Sequence, residues 1–353
     1  MPFGPDHYVP VLKVKRGEKK ALRLIPPIVQ SRMTPLLEIV ARQPDKTLDA
    51  HLDTAFADLA ETLRTYSRCF LDTHEIAGEG QAGAVEAFQR ALGAGIVFTP
   101  VTGLSRTSDV APALSHRENG LALRLTRGEL EQGELATRIN VFLTENGLTT
   151  KEVDLIIDLG TVEDLIVEGI EALMDEFMAE VPDHSDWNTF TVSACAFPKS
   201  MGVIERNSHA LTERSEWLAW KEHLYNRRQH LARLPSFSDC AIQYPAGVEG
   251  FDPRIMAVSA SVRYTLETEW LLIKGQSTKS IRAGIQFPGL AHELVYGSLR
   301  SHFYGTKHCK GCDLMKAAAD GAPSLGSAEV WRQLGTIHHL SVVTQAVVSL
   351  PWP

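Results

Sequence analysis

The sequence predicts a (β/α)8 barrel of the TIM type followed by a C-terminal α+β extension. Eight short apolar runs, rich in β-branched and aromatic residues, lie between residues 8 and 244. Most are followed by a segment with apolar residues at i, i+3, i+4 and i+7, the pattern of an amphipathic helix. Alternating strands and helices imply a parallel sheet, because each crossover needs a helix. Eight such units over about 240 residues match the usual size of this barrel.

The eight apolar runs are the predicted barrel strands. In order along the chain they cover residues 8–15, 34–40, 69–76, 96–101, 121–126, 153–159, 190–197 and 237–244. Among the helices between them, the clearest pattern starts at Leu48 and puts Leu52, Phe56 and Leu59 on one stripe. A doubly wound open sheet is the alternative fold, but no GxGxxG turn follows the first run.

After Tyr244 the alternation stops. Residues 262–274 indicate a strand pair or one long strand, and residues 289–299 and 328–348 are predicted helices. The connector at 303–327 is rich in Gly, Ala, Lys and Asp, which is typical of a surface loop. We therefore predict a barrel over residues 1–245 and an extension, packed on the barrel, over 246–353.

Composition and charge exclude several classes of protein. The chain has 353 residues, with 35 Lys plus Arg against 43 Asp plus Glu, for a net charge of −8. A general nucleic-acid binder would carry a basic excess instead. No run approaches the roughly 18 apolar residues of a membrane helix, and no signal peptide is visible. The odd number of cysteines, five, favours a reduced, cytoplasmic protein.

Charged residues inside the predicted strands indicate a site. Strands of a parallel barrel are covered on both faces, so a charge within one needs a reason. Side chains alternate between the two faces, and many of these charges fall toward the carboxyl ends, where barrel enzymes place their active sites. The predicted catalytic residues at the barrel mouth are Glu38, Asp72, His74 and Asp158, and the predicted ligand-binding residues are Lys13, Lys15, Arg124 and Gln243.

Three interpretations of this cluster stay open. The charges can pair with one another as a buried ion network. The carboxylates of Glu38, Asp72 and Asp158 are also suitable oxygen ligands for Mg²⁺ or Mn²⁺. Lys13 and Arg124 would neutralise two of them, which favours an anionic ligand, such as a phosphate or carboxylate, at least as well as a metal.

Two further features have a simpler interpretation beside the functional one. Cys309 and Cys312 form one CxxC with His302 and His308 nearby, but zinc needs more ligands and the adjacent His338 and His339 cannot easily face one metal. An incidental CxxC is the preferred interpretation. Cys195 could be a reactive thiol, yet a buried cysteine is commonly a small hydrophobe.

The segment after the seventh strand, PKSMGVIERNSHALTERSE, is predicted to be a loop on the catalytic face. Such a loop could close over a ligand, with Lys199, Arg206 and Asn207 as candidate contacts. A solvated surface loop is the simpler alternative.

Several motifs resemble one family. The opening YVPVLKVKRGEKKAL, followed by TPLLEIV, is similar to the start of the phage-borne beta protein family, encoded beside gop in satellite phages. The pieces VRYTLETEWLLIKG, FYGTKH and WRQLGTIHHLSVV resemble its closing motifs, so the resemblance runs over about residues 8–343. One departure is Gly305-Thr306, where the family pattern has Gly-Asp.

The resemblance implies a setting in prophages and mobile elements, some of them linked to anti-phage defence. It does not indicate which reaction, if any, the protein catalyses. It gives weight to a set of residues without assigning them catalytic roles. These residues are Lys13, Lys15, Arg16, Glu18, Glu38, Arg263, Tyr264, His338 and His339.

Two functions from different classes follow. The first is an enzyme, a metal-assisted hydrolase of a small phosphorylated or nucleotide-like anion, with His74 as proton carrier. The second is a non-catalytic module that senses or holds a phage or toxin protein, because no recognised catalytic signature is present. A nuclease is a poorer third, since the net charge offers no track for a polyanion. The sequence does not settle the oligomeric state.

Overall fold

Eight parallel strands close into a barrel, as predicted. The structure is a computed structural model that describes residues 2–245 and 259–352. The barrel strands, in order around it, are β1 (Tyr8–Lys13), β2 (Leu36–Glu38), β3 (Cys69–Asp72), β4 (Phe98–Thr102), β5 (Leu121–Thr126), β6 (Val153–Thr161), β7 (Thr189–Cys195) and β9 (Ser236–Asp239). All eight fall at the predicted runs.

Helices connect these strands and cover the barrel. They are α1 (Arg16–Leu24), α2 (Pro27–Gln30), α3 (Leu48–Phe56), α4 (Leu59–Leu63), α5 (Gly80–Gly93), α6 (Val110–Ser115), α7 (Arg127–Glu131), α8 (Leu135–Glu145), α9 (Val167–Glu180) and α10 (Ser215–Leu218), which continues as a π-helix over Ala219–Tyr225. The outward leucines of β5 (Leu121, Leu123 and Leu125) are fully buried beneath this layer, as their alternation predicts.

The long helix expected from Leu48 is two helices. Ala57 leaves the helical region, and Asp58 has a left-handed backbone with φ of 62°. The apolar stripe continues across the break into α4, which is why periodicity alone does not reveal it. The break turns the chain so that both pieces stay on the barrel.

The C-terminal part contains a strand pair and three helices. β10 (Ser259–Thr265) and β11 (Glu269–Ser277) form an antiparallel strand pair, not the one long strand that was the alternative prediction. The helices are α11 (Ala283–Val295), α12 (Lys310–Ala319) and α13 (Ala328–Val348). α11 begins before the predicted residue 289 and contains Pro288, while α13 has the predicted bounds. No helix within residues 2–245 or 259–352 is long and apolar enough to cross a membrane.

The segment after β7 is not only the predicted loop. Its second half forms β8 (Ser208–Glu213), which pairs with β11 to make a three-stranded sheet. Arg206 and Asn207 are exposed just before this strand. Because β8 is short, polar and paired with a strand far along the chain, its own residues give little indication that they form a strand.

The connector at 303–327 is not a surface loop throughout, which corrects the prediction. It contains α12, whose buried face comprises Cys312, Met315 and Ala318. These three residues have a helical spacing, but small and polar neighbours hide it in the composition.

α13 attaches the extension to the barrel. It packs on α1, β1 and β10. A Cβ on Gly335 would lie 2.8 Å from the carbonyl oxygen of Arg263 and 2.8 Å from Ile242 Cδ1, so glycine permits this close approach. The division into residues 1–245 and 246–353 stays a prediction, and its boundary adjoins residues 246–258, which lie outside the described ranges.

Candidate functional site

The five charges predicted at the strand ends form one buried network. Lys13 Nζ lies 2.6 Å from Glu38 Oε2. Arg124 donates to Glu38 Oε1 and Asp72 Oδ2, each at 2.7 Å, and to Asp158 Oδ2 at 2.8 Å. None of the five side chains is more than 8% exposed as a residue. The register of β1, β2 and β3, which aligns Lys13, Glu38 and Asp72, brings them to one level.

Three more members of the network come from loops after strands. Arg106, after β4, donates to Asp72 Oδ1 at 2.7 Å and lies 3.7 Å from Asp109 Oδ2. Glu75, after β3, pairs with Lys13. Sequence reasoning missed these because strand alternation does not extend into loops and β4 itself carries no charge.

The network has three cations and five carboxylates. Burial alone would raise the pKa of Asp72, but Arg106 and Arg124 hold that pKa well below its usual range. Arg124 and Lys13 likewise overcome burial and lower the pKa of Glu38. Both carboxyls therefore stay ionised at neutral pH. Arg124 occupies the space between the three carboxylates that a divalent cation would need, which argues against the Mg²⁺ or Mn²⁺ interpretation at this position.

The other predicted site residues lie around this network. His74 is exposed, and its pKa is lowered by partial burial and then by the charge of Arg106. Gln243 is half-buried, and its carbonyl accepts a weak hydrogen bond from Cys195 Sγ at 3.6 Å. Lys199 lies 5.8 Å from the ring centroid of Tyr244. None of their side chains belongs to the ion network, but the backbone N–H of His74 donates to Asp72 Oδ1 at 2.9 Å.

A second charged group lies beside Lys13, and we call it the rim cluster: Lys15, Glu18, Arg263 and Arg332. Lys15 is exposed as a residue, but partial burial lowers its pKa, on which Glu18 and Arg332 then act in opposite directions. Burial, followed by repulsion from Arg332, lowers the pKa of Arg263 to about 9. Lys15 and Glu18 lie at the start of α1, and close approaches at Gly17 and Gly335 bring α1 and the Arg263 backbone against α13, which carries Arg332.

The rim cluster joins the extension to the barrel mouth. Arg263, on β10, donates to the carbonyl of Ile242 at 2.5 Å, and its guanidinium stacks 5.0 Å above the ring of Phe197. Ile242 and Phe197 follow β9 and β7, respectively. Glu18 is 2% exposed, and neither of its carboxylate oxygens has a hydrogen-bond partner.

A separate buried network ties α13 to the outside of the barrel. The Tyr8 hydroxyl donates to Asp239 Oδ1 at 2.5 Å, and His339 Nε2 lies 3.1 Å from the same carboxylate. The fully buried Arg214 lies 3.7 Å from Asp239 and 3.8 Å from Glu216. This cluster faces away from the barrel interior, so its role is structural.

At the amino-terminal end of the barrel a further buried pair closes the interior. Arg68 donates to both carboxylate oxygens of Asp154, at 2.7 and 2.9 Å. Thr189 and Asn188 also donate to Asp154. With every polar group paired, this end is a plug, which leaves the carboxyl end as the candidate site.

The closed parallel barrel, with its charges at the carboxyl ends of the strands, defines the chain as a (β/α)8 barrel protein. The sequence model of the Beta protein family matches residues 8–345, so the chain belongs to that family. This confirms the resemblance. No curated protein matches the chain.

Proposed function

We propose that the carboxyl end of the barrel binds a small anionic molecule, phosphate-bearing or nucleotide-like. The observation that carries the proposal is the rim cluster, which brings three cations, Lys15, Arg263 and Arg332, together on the packed elements α1, β10 and α13, with Glu18 as its one carboxylate. None of the three has an ion pair within the described residues. Clustered cations repel one another, and a bound anion relieves that repulsion through charge-assisted hydrogen bonds.

The ion network below the rim has a different role in this proposal. Arg124 already donates to three carboxylates, and Lys13 already pairs with two. In this proposal these two cations hold Glu38, Asp72 and Asp158 in place, whereas the sequence-based prediction makes them ligands of the anion. The anion is assigned to Lys15 and Arg263, the latter supplied by the extension.

We further propose that the bound anion is hydrolysed, and this step depends on His74. His74 stands close enough to Arg106 and Asp72 for their charges to act on it. A lowered pKa keeps its imidazole neutral at pH 7, the state that accepts a proton from an attacking water. If there is no turnover, the same site would serve as a sensing module.

The test is calorimetric titration of the purified protein with inorganic phosphate, ribose 5-phosphate and AMP at fixed ionic strength. We expect one of them to bind, and Arg263→Gln to weaken binding by at least about tenfold, because one charge-assisted bond is lost. Lys151→Gln removes an exposed cation just before β6, at the other end of the barrel, and should change nothing. No binding by any anion, or equal loss in both variants, would contradict the proposal.

His74→Gln separates the hydrolytic extension from binding. The variant should bind the same anion as the wild type, while any phosphate release by the wild type should be lost. Phosphate release by His74→Gln at the wild-type rate would contradict the role assigned to His74.

We further propose a phage-associated, cytoplasmic setting, with anti-phage defence as its purpose. Family membership supports this setting through the resemblance described above. Plating phages on cells that make the wild type or Arg263→Gln tests it. Protection by the wild type alone is expected, and no protection by either would refute the defence role.

A further inference from the structure

Three potential metal ligands from two distant segments meet in the extension. Cys309 Sγ and Cys312 Sγ lie 3.5 Å apart. His338 Nδ1 lies 3.7 Å from Cys309 Sγ and 3.3 Å from Cys312 Sγ. Within residues 2–245 and 259–352, this is the one group of three or more such atoms that lie close enough to share an ion.

The local sequence around the cysteines explains how they reach His338. Cys309 is the N-cap of α12, and its sulfur accepts a hydrogen bond from the Cys312 N–H at 3.3 Å. This end of a helix favours a thiolate. A Cβ on Gly311 would lie 2.6 Å from the carbonyl oxygen of Leu334 and 3.2 Å from the amide nitrogen of His338. Glycine between the cysteines therefore lets α12 touch the backbone of α13.

The hydrogen bond of His338 fixes which nitrogen faces the thiols. Its Nε2 lies 2.8 Å from the carbonyl oxygen of Thr265, which only accepts, so Nε2 carries the proton. The lone pair is then on Nδ1, the atom that faces both sulfurs. A backbone carbonyl that orients a histidine in this way is the usual outer shell of a metal ligand.

Neighbouring groups complete the surroundings of a closed site. Cys312 and His338 are fully buried, and Cys309 is 8% exposed. The Tyr264 hydroxyl accepts from the Tyr304 N–H at 2.9 Å and lies 3.4 Å from Cys312 Sγ, within reach to donate to a thiolate there. His308, whose ring centroid is 5.5 Å from that of His338, has a buried Nε2 without a hydrogen-bond partner.

We propose that Cys309, Cys312 and His338 bind a structural Zn²⁺ ion, with His308 Nε2 as the fourth ligand. Tetrahedral zinc with Zn–S of about 2.3 Å and Zn–N of about 2.0 Å puts its ligand atoms roughly 3.3–3.8 Å apart. The three measured separations fall in this range. Soft thiolate and imidazole ligands select zinc over Mg²⁺ or Ca²⁺.

The two objections from sequence spacing do not apply to this geometry. A second CxxC is unnecessary, because His338 on α13 and His308, which directly precedes Cys309, supply the other two ligands. His338 and His339 point in different directions, because adjacent helical residues are about 100° apart, and His339 contacts Asp239 instead. The ion would join α12 to α13 and, through Thr265, to β10.

The first test is the zinc content of the full-length protein after dialysis, measured by elemental mass spectrometry. We expect one zinc per chain, lost in Cys312→Ser and His338→Gln and retained in Cys69→Ser. Cys69 is the matched control, because it is also a buried free thiol and lies on β3. A wild-type zinc content no higher than that of Cys312→Ser, or equal zinc in all variants, would overturn the proposal.

A second measurement on the wild type guards against variants that fail to fold. Removing zinc with a chelator should lower the melting temperature, and Co²⁺ should restore it with the absorption bands of a tetrahedral thiolate site. In His308→Ala, the Co²⁺ spectrum should change. An unchanged spectrum would refute His308 as the fourth ligand. If the chelator has no effect and air oxidation removes two thiols, Cys309 and Cys312 would be a redox pair and not a zinc site.

Discussion

Arg124→Met is expected to destabilise the protein by about 3–5 kcal/mol or to prevent its folding, because it leaves buried carboxylates uncompensated. Three carboxylates accept from this one guanidinium, and Asp72 is only 1% exposed. The measurement is the free energy of unfolding in urea. The loss should shrink as the pH falls, because burial raises the pKa of carboxyls freed from the arginine and they become protonated at a higher pH than in the wild type.

Arg127→Met is the matched control for this prediction. Arg127 lies three residues further along, is half-buried, and makes one long hydrogen bond of 3.5 Å to the carbonyl of Thr161. Its loss should cost less than about 1 kcal/mol. An equal effect of the two substitutions would show that the network at the barrel mouth is not what holds this region together.

Glu216→Gln is expected to stabilise the protein, and increasingly so as the pH rises. Glu216 is fully buried without a hydrogen-bond partner for either carboxylate oxygen, and burial raises its pKa from 4.5 to about 8. Between these values the unfolded chain has lost the proton and the folded chain keeps it, so wild-type stability falls as the pH rises. A shift of about 3.5 pH units corresponds to about 5 kcal/mol at most.

Melting temperatures of the wild type and Glu216→Gln between pH 5 and pH 8 provide the measurement. The difference between them should widen across this range and then stay constant. Glu222→Gln, which removes an exposed carboxylate from the same helical segment, is the control. A difference that narrows toward pH 8 would show that Arg214 keeps Glu216 ionised.

Much of the barrel and its ion network can be predicted from sequence because both obey local rules. The alternation of side chains along a strand puts Lys13, Arg124 and Asp158 on the inner face. Because the carboxyl ends of the parallel strands lie at one end of the barrel, these side chains are then expected to lie close together. The pairing of these charges was one of the open interpretations, since any buried charge needs a partner.

What sequence reasoning missed depends on contacts between distant segments. Arg106 sits in a loop, where no periodicity fixes its direction. β8 pairs with β11, and α12 is recognisable only when its buried face meets α13. The cysteines and His338 likewise become a cluster only through the close approach at Gly311.

The division of labour between the ion network and the rim cluster is tested most directly by one thermal-shift measurement. The anion that binds in calorimetry is added to the wild type, Glu38→Gln and Arg263→Gln, and the rise in melting temperature is recorded for each. Our account predicts that Glu38→Gln melts lower than the wild type yet still responds to the anion. Arg263→Gln should respond weakly, whatever its own melting temperature. The reverse, with Glu38→Gln insensitive to the anion and Arg263→Gln fully responsive, would contradict the account and put the anion within the network.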